Sequence, residues 1–429
     1  MNSIQNNIPK MRWLRIIPIL VFASFIQNID KSIISFALPG GMAKELGLNG
    51  SISGLLGTAF GIGYLLLQIP FGSLAGKGKC KNLLGVAMLG WSITLFLTAT
   101  TSNVNFIIFL RVLLGFFEGA MPPAMLTIVA NWFPNEERGR ATSLYLSATG
   151  ISQIVMGPLA SILLMNYTWR ALFYFGAIIS FVLIALWMTL LTEKPKEAKW
   201  LGEEEKSYIL TSIEAERSNK KPLEKAPLAE VLKDINVWKL CGMCFLGAMG
   251  PIGLAFWMPT MIANITKTGM TQAGFLSVIP SLAGLIGVIF MGYLSDKTQK
   301  RKLLMGICPL IFTGLLVCTM LVQSSIWISF IVLCIAMLFI QGSTTNMWAA
   351  LPMLLIPEKA GTARGIISMC VGAAGLVSPV LIGYFMDKTG SMFVSWLVIF
   401  GFSCVSFLIT LTLPSYLNGS KKSADTEKR

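Results

Sequence analysis

Histidine is absent from the 429 residues. Every chemistry that relies on an imidazole, as general base, zinc ligand or proton relay, is therefore excluded, and proton handling falls to carboxylates. Charge is scarce as well: 13% of the residues are Asp, Glu, Lys or Arg, against about 25% in ordinary globular domains. That shortage excludes a soluble protein. The eight cysteines are scattered. Cys241 and Cys244 form a C-x-x-C without a second pair, inside an apolar helical stretch, and read as packing rather than as a redox or zinc site. Neither a nucleophile elbow nor a metal-ligand cluster is present, so the sequence predicts no catalytic residue, no metal site, no cofactor and no enzyme.

What the chain has in quantity is apolar surface, with 54% hydrophobic residues and a mean hydropathy of +0.70. A transmembrane helix needs roughly 20 apolar residues. Such runs fall near residues 13–38, 51–75, 82–99, 104–131, 142–165 and 170–191, then 238–262, 272–294, 303–322, 326–355, 364–386 and 391–414. The first run is too long for a cleavable signal and is expected to stay as the first helix.

Lys and Arg concentrate in cytoplasmic loops. Here they gather in the even-numbered gaps and both tails: Lys10 and Arg12, Lys77, Lys79 and Lys81, Arg138 and Arg140, Lys297 to Lys302, Lys359 and Arg364, Lys421 and Lys422. The odd-numbered gaps hold only Lys44, Arg170, Lys267 and Lys388. Both termini are therefore expected to be cytoplasmic. The formal net charge of +14 is accounted for by topology, with no need of nucleic acid as a partner.

The stretch from Glu193 to Lys239 contains ten acids and ten bases, broken by Pro195, Pro222 and Pro227. It reads as a cytoplasmic linker with short amphipathic helices. Gly72-Ser-Leu74 before a basic loop matches Gly292-Tyr-Leu294 at an offset of 220, and Phe133-Pro134 matches Ile356-Pro357 at an offset of 223. Two nearly equal offsets predict a six-plus-six repeat. The expected architecture is an all-α membrane protein of twelve transmembrane helices in two six-helix bundles. The first bundle is expected over 1–192, the linker over 193–237, the second bundle over 238–415 and a cytoplasmic tail over 416–429.

A charge at the bilayer centre costs at least about 2.5 to 3.5 kcal/mol. Well inside the spans only four ionisable residues occur: Asp30 and Lys31 in the first, Arg111 and Glu118 in the fourth. Arg111 and Glu118 are seven apart and share a helix face. At 1.5 Å per residue Asp30 and Arg111 lie at similar depths, so a cluster of two cations and two carboxylates is expected. One reading is a structural ion-pair network joining two helices. The other is a functional cluster that becomes net positive when a carboxylate takes a proton, and then accepts an anion. The spread over two helices, and the lack of a matching charge in the second half, favour the functional reading. Asp30 and Glu118 are then the candidate proton carriers.

At these residues the chain resembles the major facilitator superfamily, and within it the anion:cation symporters, among them hexuronate, galactonate, glucarate and phthalate permeases and vesicular glutamate transporters. The resemblance rests on Asn28-Ile-Asp30-Lys31, on Tyr64-x-x-x-Gln68-Ile-Pro70-x-Gly72, on Leu110-Arg111 with Glu118-Gly-Ala-x-x-Pro123, and on Asn131-Trp132-Phe133-Pro134-x-Glu136-x-Arg138. It implies uptake of an organic acid anion, such as a sugar acid (hexuronate, aldonate or aldarate), with protons by alternating access. By motif position Arg111 and Lys31 would hold the substrate carboxylate, Asp30 and Glu118 would couple protons, and Tyr64 would line the site. The family usually has arginine at Lys31, asparagines near Ser368 and Gly372, and an acid at Gly76, which Asp296 keeps in the second repeat. Thr345, Asn346, Trp348 and Ser368 are the second-half candidates, and Thr149 and Gln153 the weaker ones in helix 5.

A drug or metabolite exporter of the same fold is the alternative. Gly157-Pro158 resembles part of an antiporter motif, yet its surrounding glycines are missing. A cavity of paired cations also suits lipophilic cations poorly. The expected partners are a small organic anion, protons and membrane lipid, for a monomer in the cell membrane.

Overall fold

The computed structural model describes residues 10–75, 80–219, 228–267, 269–322, 325–354, 357–414 and 417. Gly76, Lys77, Lys79, Pro222, Pro227, Ile356, Lys421 and Lys422, named above, lie outside them. The described residues form helices and no strands. In order these are α1 (Met11–Ala37), α2 (Ala43–Glu45), α3 (Gly50–Ala75), α4 (Cys80–Thr100), α5 (Val104–Glu118), α6 (Met121–Trp132), α7 (Asn135–Asn166), α8 (Arg170–Leu190) and α9 (Glu203–Asn219). Then follow α10 (Leu228–Leu232), α11 (Ile235–Thr266), α12 (Met270–Leu276), α13 (Val278–Thr298), α14 (Arg301–Leu321), α15 (Ile326–Met337), α16 (Gly342–Leu354), α17 (Pro357–Thr389) and α18 (Met392–Leu411).

Eleven helical stretches among the described residues are long and apolar enough to cross a membrane. A shorter apolar helical stretch, Gly50–Leu66, lies in α3. Large apolar side chains such as Ile178, Phe181 and Val182 on α8, and Ile286, Ile289 and Phe290 on α13, stand exposed. Such an apolar exterior suits lipid, where helices alone satisfy their own backbone.

The chain divides into two compact units, Met1–Gly47 with Ala59–Pro222, and Leu48–Thr58 with Leu223–Arg429. In the first, α1 packs on α7 and α8, and α4 on α8 and α5. In the second, α11 packs on α17 and α18, and α14 on α18 and α16. The core of the second unit is apolar, around Trp257, Phe312 and Trp396.

Three linker-region glutamates fasten the first unit. Helices α1, α4 and α7 each begin with backbone N–H groups that have no intrahelical acceptor. Glu205 accepts from the Met11 and Arg12 N–H groups at 3.2 and 3.1 Å. Glu193 accepts from Cys80 and Lys81 at 3.0 and 3.1 Å, and Glu216 accepts from the Asn135 N–H. A carboxylate there also meets the positive end of the helix dipole. Arg12 completes the arrangement with ion pairs of 2.6 Å to both Glu205 and Glu137, and Trp200 stacks on Trp132 with centroids 5.2 Å apart. The linker helix α9 thus belongs physically to the first unit.

Candidate functional site

The fourth span is broken. It runs as α5 to Glu118 and resumes as α6 at Met121, with Pro122 and Pro123 opening the new helix. Proline has no N–H to give to the carbonyl four residues back, so Pro122 leaves the Glu118 carbonyl without its helical donor. Gln27 supplies one instead, its Nε2 donating to that oxygen at 2.9 Å. Close approach of α3 fixes the other side. A Cβ on Gly63 would lie 1.8 Å from the Val112 carbonyl oxygen, and one on Gly115 1.9 Å from that of Phe60. Only glycine admits such a crossing.

These contacts frame a cavity of about 170 Å³ within the first unit, lined by α1, α3, α6 and α7. Helix α1 contributes Ser24, Gln27, Asn28 and Lys31, at positions i, i+3, i+4 and i+7, which is one helix face. Tyr64 comes from α3, and Tyr145 and Thr149, one turn apart, from α7. Among the described residues of the lining, Lys31 is the one cation. Its Nζ lies 3.5 Å from the Tyr64 hydroxyl and 4.5 Å from the centre of that ring. The remaining polar groups are hydroxyls and amides, with Met121 and Met125 supplying apolar wall. Such a set can grip one carboxylate and hydrogen-bond a hydroxylated body.

The other three charges of the expected cluster are sealed away. Successive helical residues point about 100° apart, so Asp30 leaves the face that carries Lys31. It is 0% exposed, and its Oδ2 accepts from Ser180 of α8 at 2.9 Å. Arg111 is 2% exposed and its guanidinium lies 5.0 Å from the Phe60 ring centre. Glu118 is 0% exposed, and neither of its carboxylate oxygens has a hydrogen-bond partner. Asp30, Arg111 and Glu118 lie close enough to act on one another's charge, and Lys31 acts on Glu118.

The expected cluster is thus divided, with Lys31 at the cavity and Asp30, Arg111 and Glu118 buried outside its lining. Lys31, Tyr64 and Thr149 are brought together at the cavity, whereas Arg111 is outside its lining because its face of α5 is packed into the bundle. Gln153, one turn beyond Thr149, is exposed and also outside the lining. Thr345, Asn346, Trp348 and Ser368 sit on α16 and α17 of the second unit. There Asn346 is fully buried and donates to the Gly342 carbonyl at 2.7 Å, Trp348 carries the Arg364 guanidinium 4.8 Å above its ring, Thr345 is half-buried and Ser368 exposed. Ser24, Gln27 and Tyr145 escaped the sequence reading. The heptad spacing from Ser24 to Lys31, and the orphan carbonyl before Pro122, were the signals that pointed to the first two.

A family profile described as Major Facilitator Superfamily matches residues 20–379. A protein of Bacillus subtilis (strain 168) named "Hexuronate transporter" is 25% identical over 427 residues, covering 96% of this chain and 97% of that one. "Probable galactarate/D-glucarate transporter GarP" of Escherichia coli (strain K12) is 27% identical and covers 92% of both chains. "Sodium-dependent phosphate transport protein 1, chloroplastic" of Arabidopsis thaliana is 30% identical over 68% of this chain and 56% of that one. Among solved structures, an inward-facing bacterial homologue of the human lysosomal transporter Spinster superposes with a TM-score of 0.76. It covers 94% of this chain and 97% of that one at 16% identity, a likeness of fold.

Proposed function

From the premise that this chain belongs to the Major Facilitator Superfamily, and is thus a multi-pass membrane transporter, we propose that it is a proton-coupled symporter importing an organic acid anion. Its substrate is a sugar acid with a single carboxylate, such as a hexuronate or aldonate. It works as a monomer in the cell membrane with both termini cytoplasmic, the two six-helix halves on either side of the 193–237 linker rocking between inward and outward access. The observation that carries this reading is a cavity with one cation, Lys31, amid hydroxyls and amides, with two buried carboxyls directly behind the same helices. The name borne by the hexuronate relative agrees with a single carboxylate, and that of the galactarate/D-glucarate relative supports the broader class of sugar acids.

The coupling follows from the charges. Lys31 receives the carboxylate, and Tyr64, Thr149, Asn28 and Tyr145 receive the hydroxyls. Arg111 serves the buried acids Asp30 and Glu118 rather than the substrate, since a buried charge without a counter-charge is costly. An anion on Lys31 cancels the positive field that acts on Glu118, and a proton on Glu118 then removes a buried charge that no donor satisfies. Return of the empty carrier requires that proton to leave. Thr345, Asn346, Trp348 and Ser368 stay candidates within the second unit, and Gln153 has a peripheral part.

The test is uptake of labelled galacturonate by proteoliposomes under an inward proton gradient, with a sodium gradient as the parallel arm because of the sodium-dependent relative. Accumulation driven by protons and collapsed by a protonophore supports the reading. Accumulation driven by sodium alone, or no uptake of any organic acid, overturns it.

A further inference from the structure

Asp30 stands apart from the cavity, and what surrounds it is built. Ser180 and Gly176, one turn apart on α8, both address its carboxyl group: the Ser180 hydroxyl donates to Oδ2 at 2.9 Å, and a Cβ on Gly176 would lie 2.8 Å from Oδ1 and 2.7 Å from Ile33 Cδ1. Ser180 and Asp30 are each 0% exposed, and Oδ1 has no hydrogen-bond partner. Buried serines here bond back to their own helix, as Ser92, Ser152 and Ser403 do, or reach a backbone carbonyl of another helix, as Ser378, Ser395 and Ser406 do. Ser180 instead donates its hydrogen bond to a side-chain carboxylate of another helix.

We propose that Ser180 and Gly176 form a seat for Asp30, in which the hydroxyl fixes one carboxylate oxygen and the glycine leaves the other room to take and release a proton. Helix α8 thereby belongs to the proton-coupling apparatus, and Ser180 is a positioning residue acting through Asp30. The seat rests on the reading that Asp30 carries a coupling proton. Its division of labour is definite: Oδ2 stays the acceptor of the Ser180 hydroxyl, so the proton is held at Oδ1.

The ionisable groups that face Asp30 are Arg111 and Glu118 of α5, with Lys31 its neighbour on α1. Helix α8 adds Arg170 and Tyr174, which are engaged with Glu45 and with the Phe96 ring. Helix α4 has only Cys80 and Lys81 at its start, and α7 presents Tyr145 to the cavity. Among the described residues, the charges that act on Asp30 beside Ser180 are those of Glu118 and Arg111.

The experiment uses the full-length protein in proteoliposomes with galacturonate as probe, read two ways: gradient-driven uptake as a function of pH, and exchange of labelled for unlabelled galacturonate at equal pH. A hydroxyl that donates to a carboxylate favours its ionised form. Ser180→Ala is therefore expected to move the midpoint of the uptake profile to higher pH by about one unit, with exchange kept within a few-fold. Ser180→Thr, which keeps the hydroxyl, returns the midpoint toward that of the wild type. Gly176→Ala, which crowds Oδ1, lowers gradient-driven uptake more than exchange. An unchanged midpoint in Ser180→Ala, with both activities falling in parallel, overturns the seat. Should Ser180→Ala fail to fold, the Ser180→Cys midpoint decides in the same way, because cysteine keeps the size and weakens the donor. Wild-type protein that shows no gradient-driven uptake refutes the symport reading itself, whereas pH-driven wild type with an indifferent Ser180→Ala and Gly176→Ala refutes the seat alone.

Discussion

The two units of the chain are built from the same kind of helix and differ in where they keep charge. The first holds Asp30, Lys31, Arg111 and Glu118 inside its spans. The second packs an apolar core around Trp257, Phe312 and Trp396, and its polar candidates are neutral. Buried charge is costly and persists where it has a task, so the asymmetry assigns recognition of charge and handling of protons to the first unit. The sharpest way to break this comparison is to remove one charge from it. Lys31→Ala is expected to lower galacturonate uptake about 100-fold, the usual consequence of leaving a desolvated charge unpaired, whereas Lys31→Arg retains transport. Asn346→Ala and Ser368→Ala in the second unit are expected to stay within a few-fold, measured as initial rates at equal protein density.

The next largest effect separates the two faces of α1 and α5 from the cavity. Asp30→Asn and Glu118→Gln are expected to lose accumulation by about 10-fold or more, while exchange at equal pH continues, because a neutral amide can neither take nor release the proton. Loss of exchange to the same extent would place these acids in substrate binding instead. Arg111→Ala leaves two buried carboxyls without their counter-charge and is expected to impair both activities.

Much of this architecture is legible in the sequence, and the reason is the solvent. Hydrocarbon leaves one way to satisfy a lone segment's backbone, so apolar runs locate the helices. The same cost of burial makes four charges stand out among 429 residues. Depth along a helix is legible too, at 1.5 Å per residue. Azimuth is less so. That Asp30 and Lys31 part company follows from helical geometry, but which of them meets the cavity depends on which face of α1 packs against α8. Seven residues apart on α5, Arg111 and Glu118 are both buried, but what they touch is not legible in the sequence. The break between α5 and α6 was written in Gly119-Ala-Met-Pro122-Pro123, and with it the need for a donor that Gln27 meets.

A smaller effect concerns the substrate. With Lys31 the one cation among the described residues of the cavity lining, a second carboxylate would be desolvated without a partner. Galacturonate is expected to be preferred over galactarate by about 10-fold in competition uptake, a gap of roughly 1.4 kcal/mol. Equal inhibition by the two acids would mean that a further cation reaches the substrate, with Arg111 the residue to examine.

The smallest effect on transport, and the one that tests the first unit as a body, lies in the linker. Glu205 is fully buried and caps α1 while pairing with the buried Arg12. Glu216 caps α7 and pairs with Arg138 where both are partly exposed. Breaking a buried pair by removing one partner costs about 3 to 5 kcal/mol, against about 0 to 1 for an exposed one. Glu205→Gln is therefore expected to lower the melting temperature of the detergent-solubilised protein clearly, and Glu216→Gln hardly at all. Both should leave the midpoint of the uptake pH profile where it is, since neither touches Asp30, Glu118 or the cavity. A shifted midpoint in Glu205→Gln would show that the linker reports to the charge cluster, and the rigid fastening inferred from three capped helices would give way to a coupled one.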